Sequence, residues 1–171
     1  MAALAQARKA LKTELDKFMF VDWPECMGKP HEDRMLKNTV VFDGAGEEKL
    51  ASNISQAWNA DTLDDNQRRA NDETLRNLVN IINKYPQIRC KVHGETGAAI
   101  SAPKPLADYL KLHEVEDVAE CMDFLARRRA EACVAKLYAM GVPSRNLFAT
   151  WDGMGGHIRV TFEAEGDVET P

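Results

Sequence analysis

Nowhere does this sequence hold an uninterrupted apolar run of the roughly 18 residues that a membrane-spanning helix needs, so no helical membrane span is expected. Positive charge is also in short supply. Lys and Arg number 22 against 27 Asp and Glu, and the net charge of -5 repels a phosphate backbone, which disfavours general nucleic-acid binding. Neither a collagen period nor a low-complexity tract is present. The opening Met1–Lys12 lacks the apolar block of a secretory signal. Glu14 and Asp16 follow in the same helical pattern, unlike an Arg-rich presequence that is poor in acids. No cleavable targeting segment is expected, and the compartment stays open.

Spacings that would mark a metal centre or a local disulfide are missing as well. Cys121 and Cys133 fall in one continuous helical pattern, which sets them roughly 18 Å apart and beyond bonding distance. Cys90 and His93 sit in an alternating strand pattern, where an odd separation points them to opposite faces. Cys26 and His31 bracket a Gly and a Pro without a second ligand pair. Reduced, mostly buried thiols are the expectation, with no metal and no cofactor. The histidines His31, His93, His113 and His157 show no metal spacing, and no Ser-His-Asp or Cys-His arrangement can be assembled. The chain is therefore not expected to be an enzyme.

What is present is a sequence of 171 residues with 44% hydrophobic and 29% charged residues, the size and balance of one soluble globular domain with additions. Leu4, Leu11, Leu15 and Phe18 recur at helical spacing and predict a helix over 2–20, closed by Pro24, Gly28 and Pro30. Its stripe is narrow, which leaves open whether it docks on the domain or on a partner. Thr39–Phe42 reads as a short buried strand, and Leu50, Ile54, Ala57 and Trp58 as a short helix. A longer helix follows the acidic break at 61–66, with Leu75, Leu78, Val79 and Ile82 on one face, and stops at Tyr85 and Pro86. Alternation of Ile88, Cys90 and Val92 with Arg89, Lys91 and His93 predicts a strand with one buried face. A long connection over 98–113 carries Pro103 and Pro105.

The strongest helical pattern runs from about Val115 to Met140, with Glu114, Glu116 and Asp117 at its start and Gly141 and Pro143 at its stop. Leu147–Trp151 and His157–Phe162 read as two strands of a hairpin whose glycines supply positive φ. The acidic stretch from Glu163 reads as a disordered tail. This order of elements predicts an α/β (α+β) sandwich with a mixed sheet and helices on one face. The expected divisions are 1–37 as helix and loop, 38–164 as the main domain and 165–171 as the tail.

One charge stands out on the long helix. With Val118 at 0° and about 100° per residue, the buried stripe holds Met122, Leu125, Cys133 and Met140, and Arg129 falls near its middle. Arg127 and Arg128 fall outside it and are expected on a solvated face. A buried guanidinium needs an anionic partner, either an internal carboxylate or a bound ligand.

Several of these segments together resemble a family. The run Lys91-Val92-His93-Gly94-Glu95-Thr96-Gly97, then Leu125-Ala126-Arg127-Arg128-Arg129-Ala130, then Leu137 through Gly141-Val142-Pro143, is similar to the C-terminal domain of outer-membrane protein A. Peptidoglycan-associated lipoproteins and flagellar stator proteins carry the same domain. Val41-Phe42-Asp43 resembles its first strand, and coverage is roughly 39–164. The resemblance implies a βαβαββ fold that binds peptidoglycan without a covalent bond, its motif Asp and Arg holding the amine and carboxylate of the stem-peptide diamino acid. Carried over by position, the Arg is Arg129, and the motif Gly and Thr are Gly94 and Thr96. Four positions depart: Gly97 stands for the Asp, Glu95 for the His, Met122 for the Asn and Ala126 for the Ser.

Losing the Asp removes the countercharge for the ligand amine. Two readings follow from the resemblance. In the first, the chain is a structural or protein-interaction subunit of a larger assembly, associated through its partners with a membrane or envelope complex. In the second, it is a peptidoglycan-binding anchor that uses Arg129 and Glu95.

Overall fold

The computed structural model describes residues 2–19, 65–96, 111, 114, 117–154 and 159–168. Among these residues three α-helices and a three-stranded mixed sheet make an α+β arrangement, in the order α1 (Ala2–Met19), α2 (Asp65–Asn83), β1 (Ile88–Glu95), α3 (Val118–Ala139), β2 (Leu147–Asp152) and β3 (Arg159–Asp167). The expected strand at Thr39–Phe42, the short helix at 50–58, Cys26, Gly97 and most of the 98–113 connection lie outside the described residues. None of the described helices is long and apolar enough to cross a membrane.

β1 lies in the middle of the sheet, in the order β2-β1-β3, parallel to β2 and antiparallel to β3. The expected hairpin between the last two strands is therefore not formed. β2 and β3 lie on opposite sides of β1, each paired with it rather than with the other. Nor does the disordered tail begin at Glu163. β3 runs on to Asp167, and Val168 N donates to the Gln87 carbonyl at 2.7 Å. Acidic composition is outweighed here by pairing, since Lys91 Nζ lies 2.8 Å from Glu165 and 3.1 Å from Glu163 on the neighbouring strand. A one-residue register shift falls between Ile88 and Cys90, opposite Gly166 at φ 85°.

Alternation along β1 sends Ile88, Cys90, Val92 and Gly94 inward, and Arg89, Lys91, His93 and Glu95 to the other face. The inward set joins Val160 and Phe162 of β3 with Leu75, Leu78 and Ile82 of α2 and Cys133 and Leu137 of α3 in one core. Leu11, Leu15 and Met19 of α1 are fully buried in that core. α1 thus packs as one wall of this core, which answers where its narrow stripe docks. Met19 takes the fourth apolar position, and its sulfur accepts from Phe162 N at 3.3 Å. Arg8 to Asp167 and Glu14 to Lys84 tie the helix to β3 and to the end of α2.

α3 is bounded by two local devices. The Asp117 side chain caps its start, accepting from Ala119 N at 2.7 Å and Glu120 N at 3.3 Å, so the helix begins at Val118 and the acid acts by hydrogen bonding. At the far end Gly141 turns at φ 115°, Val142 N bonds to Leu137 O and Gly141 N to Tyr138 O, which is a Schellman stop. Buried Val142 and Leu137 supply the apolar contact of that motif, and Pro143 follows.

Candidate ligand site

Two of the residues that the resemblance singles out, Gly94 and Thr96, meet the first half of α3 where β1 ends. Gly94 faces the helix so closely that a Cβ there would lie 2.3 Å from the Ala126 carbonyl oxygen. Gly153, just past β2, makes an even closer approach, its virtual Cβ lying 2.2 Å from Asp123 N. Missing side chains on the strands and Ala126 and Ala130 on the helix let α3 settle onto the sheet. Gly153 thus serves close approach, where the sequence suggested positive φ.

Thr96 closes the same seam. It is 1% exposed, and its hydroxyl reaches two carbonyls, Gly153 O and Met122 O. Its single proton serves the shorter contact, to Gly153. Thr96 N donates to Asp152 O at 3.2 Å, and Gly153 N donates to the Asp123 carboxylate at 2.7 Å. The ends of β1 and β2 and the first turns of α3 are thereby locked together. Asp123 was not singled out from sequence, because an exposed acid on a helix carries no signal of a bond to a backbone N–H 30 residues away.

Arg129 is 6% exposed, whereas Arg127 and Arg128 are exposed, as the helical angles require. Arg129 is engaged by neighbours within the fold. Arg127 Nε binds Glu131 at 2.6 Å one turn on, and its guanidinium stacks 5.0 Å from the Trp151 ring. Glu95 lies elsewhere. Alternation places it with His93 on the sheet face opposite the helix layer, its Oε1 3.8 Å from His93 Nε2. The other His93 nitrogen shares a 2.6 Å hydrogen bond with Thr150 Oγ1. Gly94, Thr96 and Arg129 therefore belong to the α3 side of the sheet and Glu95 to the other, while Gly97 lies outside the described residues.

The outer face is polar. Lys91 has its pKa raised first by the hydrogen bond to Glu165 and then by that to Glu163, against the cost of burial. Arg89 stacks 4.3 Å above Phe148. Among the described residues no group of three or more His, Cys, Asp or Glu is placed to hold a metal ion. Burial pushes the Cys90 and Cys133 thiols up to about 12, far from the range of a reactive thiolate. Asn146, buried at 2%, spans from the turn before β2 to the carbonyls of Pro86 and Ile88 at 2.9 and 3.0 Å. It too was missed, since its partners are distant in sequence.

No protein-family model matches the chain, and no curated protein matches it at a significant level.

Proposed function

We propose that this chain is a degenerate member of the OmpA-like family, serving as a non-catalytic structural or protein-interaction subunit in a larger assembly, with the peptidoglycan pocket largely lost. What carries the reading is the use made of the retained motif positions. Gly94 and Thr96 are spent on seating α3 against β1 and β2, so their retention needs no ligand to account for it. The position that would hold the ligand amine is Gly97, which has no charge. The run α2, β1, α3, β2, β3 with β1 central suits the later part of a βαβαββ domain. Residues 39–42 are the proposed first strand. Association with a membrane or envelope complex comes through protein partners.

Retention on purified peptidoglycan tests this directly. The wild-type chain is expected to stay in the unbound fraction, and Gly97→Asp to raise retention by restoring the countercharge. Wild-type retention that disappears in Arg129→Ala would defeat the proposal and favour an anchoring module. Native co-purification gives the complementary readout, in which a stoichiometric protein complex is expected rather than a cell-wall fraction.

A further inference from the structure

Asp152 ends β2 and is followed directly by Gly153. An Asp-Gly link can rearrange without any enzyme, because glycine has no Cβ to shield its nitrogen from the carboxyl beside it. The Gly153 nitrogen attacks Asp152 Cγ, an N–Cγ bond forms, and the amide hydrogen leaves with the carboxyl hydroxyl as water. The product is a five-membered succinimide. Water then adds to one of its two carbonyls: opening at Cγ returns aspartate, and opening at the α-carbonyl leaves isoaspartate, whose main chain runs through Cβ and Cγ. Mass is unchanged overall.

Hydrogen bonds hold this link on both sides. Gly153 N donates to Asp123 Oδ1 at 2.7 Å, Met154 N to Asp152 Oδ1 at 3.0 Å and Thr96 N to Asp152 O at 3.2 Å, while the Thr96 hydroxyl donates to Gly153 O. The first of these decides the chemistry. In the succinimide, Cγ takes the place on nitrogen that the hydrogen held, and a hydrogen bond lines that hydrogen up with its acceptor. An N–C bond of roughly 1.4 Å uses about half of the 2.7 Å to Asp123 Oδ1, which leaves Cγ far inside contact distance of that oxygen. The ring cannot close while Asp123 is in place. A carboxylate at this point also opposes loss of the Gly153 amide proton, the step that frees the attacking electron pair.

We propose that Asp152 is an isoaspartate-forming site guarded by Asp123, and that conversion proceeds only when the seam between the end of β2 and α3 opens. The converted chain does not close again. It carries one extra main-chain atom, roughly 1.5 Å of added length, just ahead of Gly153, which sits so close under α3 that a Cβ there would lie 2.2 Å from Asp123 N. Asp152 thereby turns brief openings of the seam into permanent loss of it. Nothing in this chemistry depends on the subunit reading.

The test is warm storage of the full chain at neutral pH, with isoaspartate at position 152 followed by peptide mapping and by an isoaspartyl methyltransferase. An Asp43→Glu background removes Asp43–Gly44, a second Asp-Gly link in the sequence that lies outside the described residues. The folded chain is expected to convert at least tenfold more slowly than a synthetic peptide of residues 147–158, because the link reacts only from the open state. Asp123→Ala should speed conversion at least fivefold, and Asp123→Asn, which keeps an acceptor oxygen for Gly153 N, should stay close to wild type. Glu14→Gln loosens α1 away from this link and is the control for general opening, so it should speed conversion far less than Asp123→Ala. Equal rates in the folded chain and the peptide overturn the proposal. So does an Asp123→Ala rate no higher than that of wild type or of Glu14→Gln. Slower conversion in Asp123→Asn than in wild type overturns it as well, since Asp123 would then be assisting the attack as a base.

Discussion

Gly94 and Ala126 meet without room for one carbon atom: a Cβ on Gly94 would stand 2.3 Å from the Ala126 carbonyl oxygen and 3.2 Å from the Ala130 methyl. The first obstacle is helix backbone, which cannot rotate aside as a side chain would. Separation of β1 from α3 is thus set at this point, and Thr96 and Gly153 fasten the seam beside it.

Gly94→Ala is accordingly predicted to destabilise the fold by about 3 kcal/mol, the upper end of overpacking costs. Strand propensity alone predicts the reverse, a gain of roughly 0.5–1 kcal/mol from removing a flexible glycine. Urea denaturation decides between them, and a midpoint equal to or above wild type would show that the helix can lift away freely.

Thr96→Val keeps the shape of the side chain and removes the hydroxyl. Gly153 O then loses its hydroxyl donor in a buried seam, a loss of about 1–3 kcal/mol. Thr96→Ser should recover most of it. Equal stability of the Val and wild-type proteins would remove the hydroxyl from the structural account and reopen a ligand role for this residue.

How far the sequence could be read depended on the range of the interaction. Helical spacing placed α2 and α3 and put Arg129 on the buried face, and alternation placed β1, because these are relations among neighbours. Sheet order is a relation between distant segments, and the Asp152-Gly153 turn resembles a hairpin locally whichever strand lies between. Acidic residues after Phe162 look solvated until Lys91 is opposite them. Gly94 and Thr96 were visible as motif positions, but their work in the seam needed Ala126 and Gly153 to be placed. Asp123 and Asn146 gave no local sign at all.

The clamp of α1 should be sensitive to pH at both ends of the range. Hydrogen bonds from Lys84 and then Tyr85 hold the Glu14 carboxyl below its ordinary 4.5, so its contribution is complete above that value and is lost as pH falls through the lower folded value. Tyr85 is raised above 10.0 chiefly by its bond to Glu14, and its share is complete below 10.0 and lost as pH rises through the folded value. Glu14 is 33% exposed at its side chain, so water screens the pair and the effect is modest. Melting curves of wild type and Glu14→Gln should converge toward acid and toward alkali and differ most between pH 5 and about 9. A constant difference across the range would mean that the carboxylate does not clamp α1.

Cys90 of β1 and Cys133 of α3 lie in the same core, at 0% and 2% exposure, with thiols pushed up to about 12 by burial. At pH 8 a group of that pKa is ionised in only about one molecule in ten thousand, and the thiolate is the reacting form. In a Cys26→Ser, Cys121→Ser background, both thiols should therefore resist an aromatic disulfide reagent in native buffer and react within minutes in guanidinium. Their slow native reaction then reports how often the fold opens around them. Because Gly94→Ala wedges apart β1 and α3, the elements that carry these two cysteines, it should speed labelling of both by at least tenfold. Rapid labelling of the wild type would contradict the burial, and an unchanged rate in Gly94→Ala would show that the seam does not control access to the core.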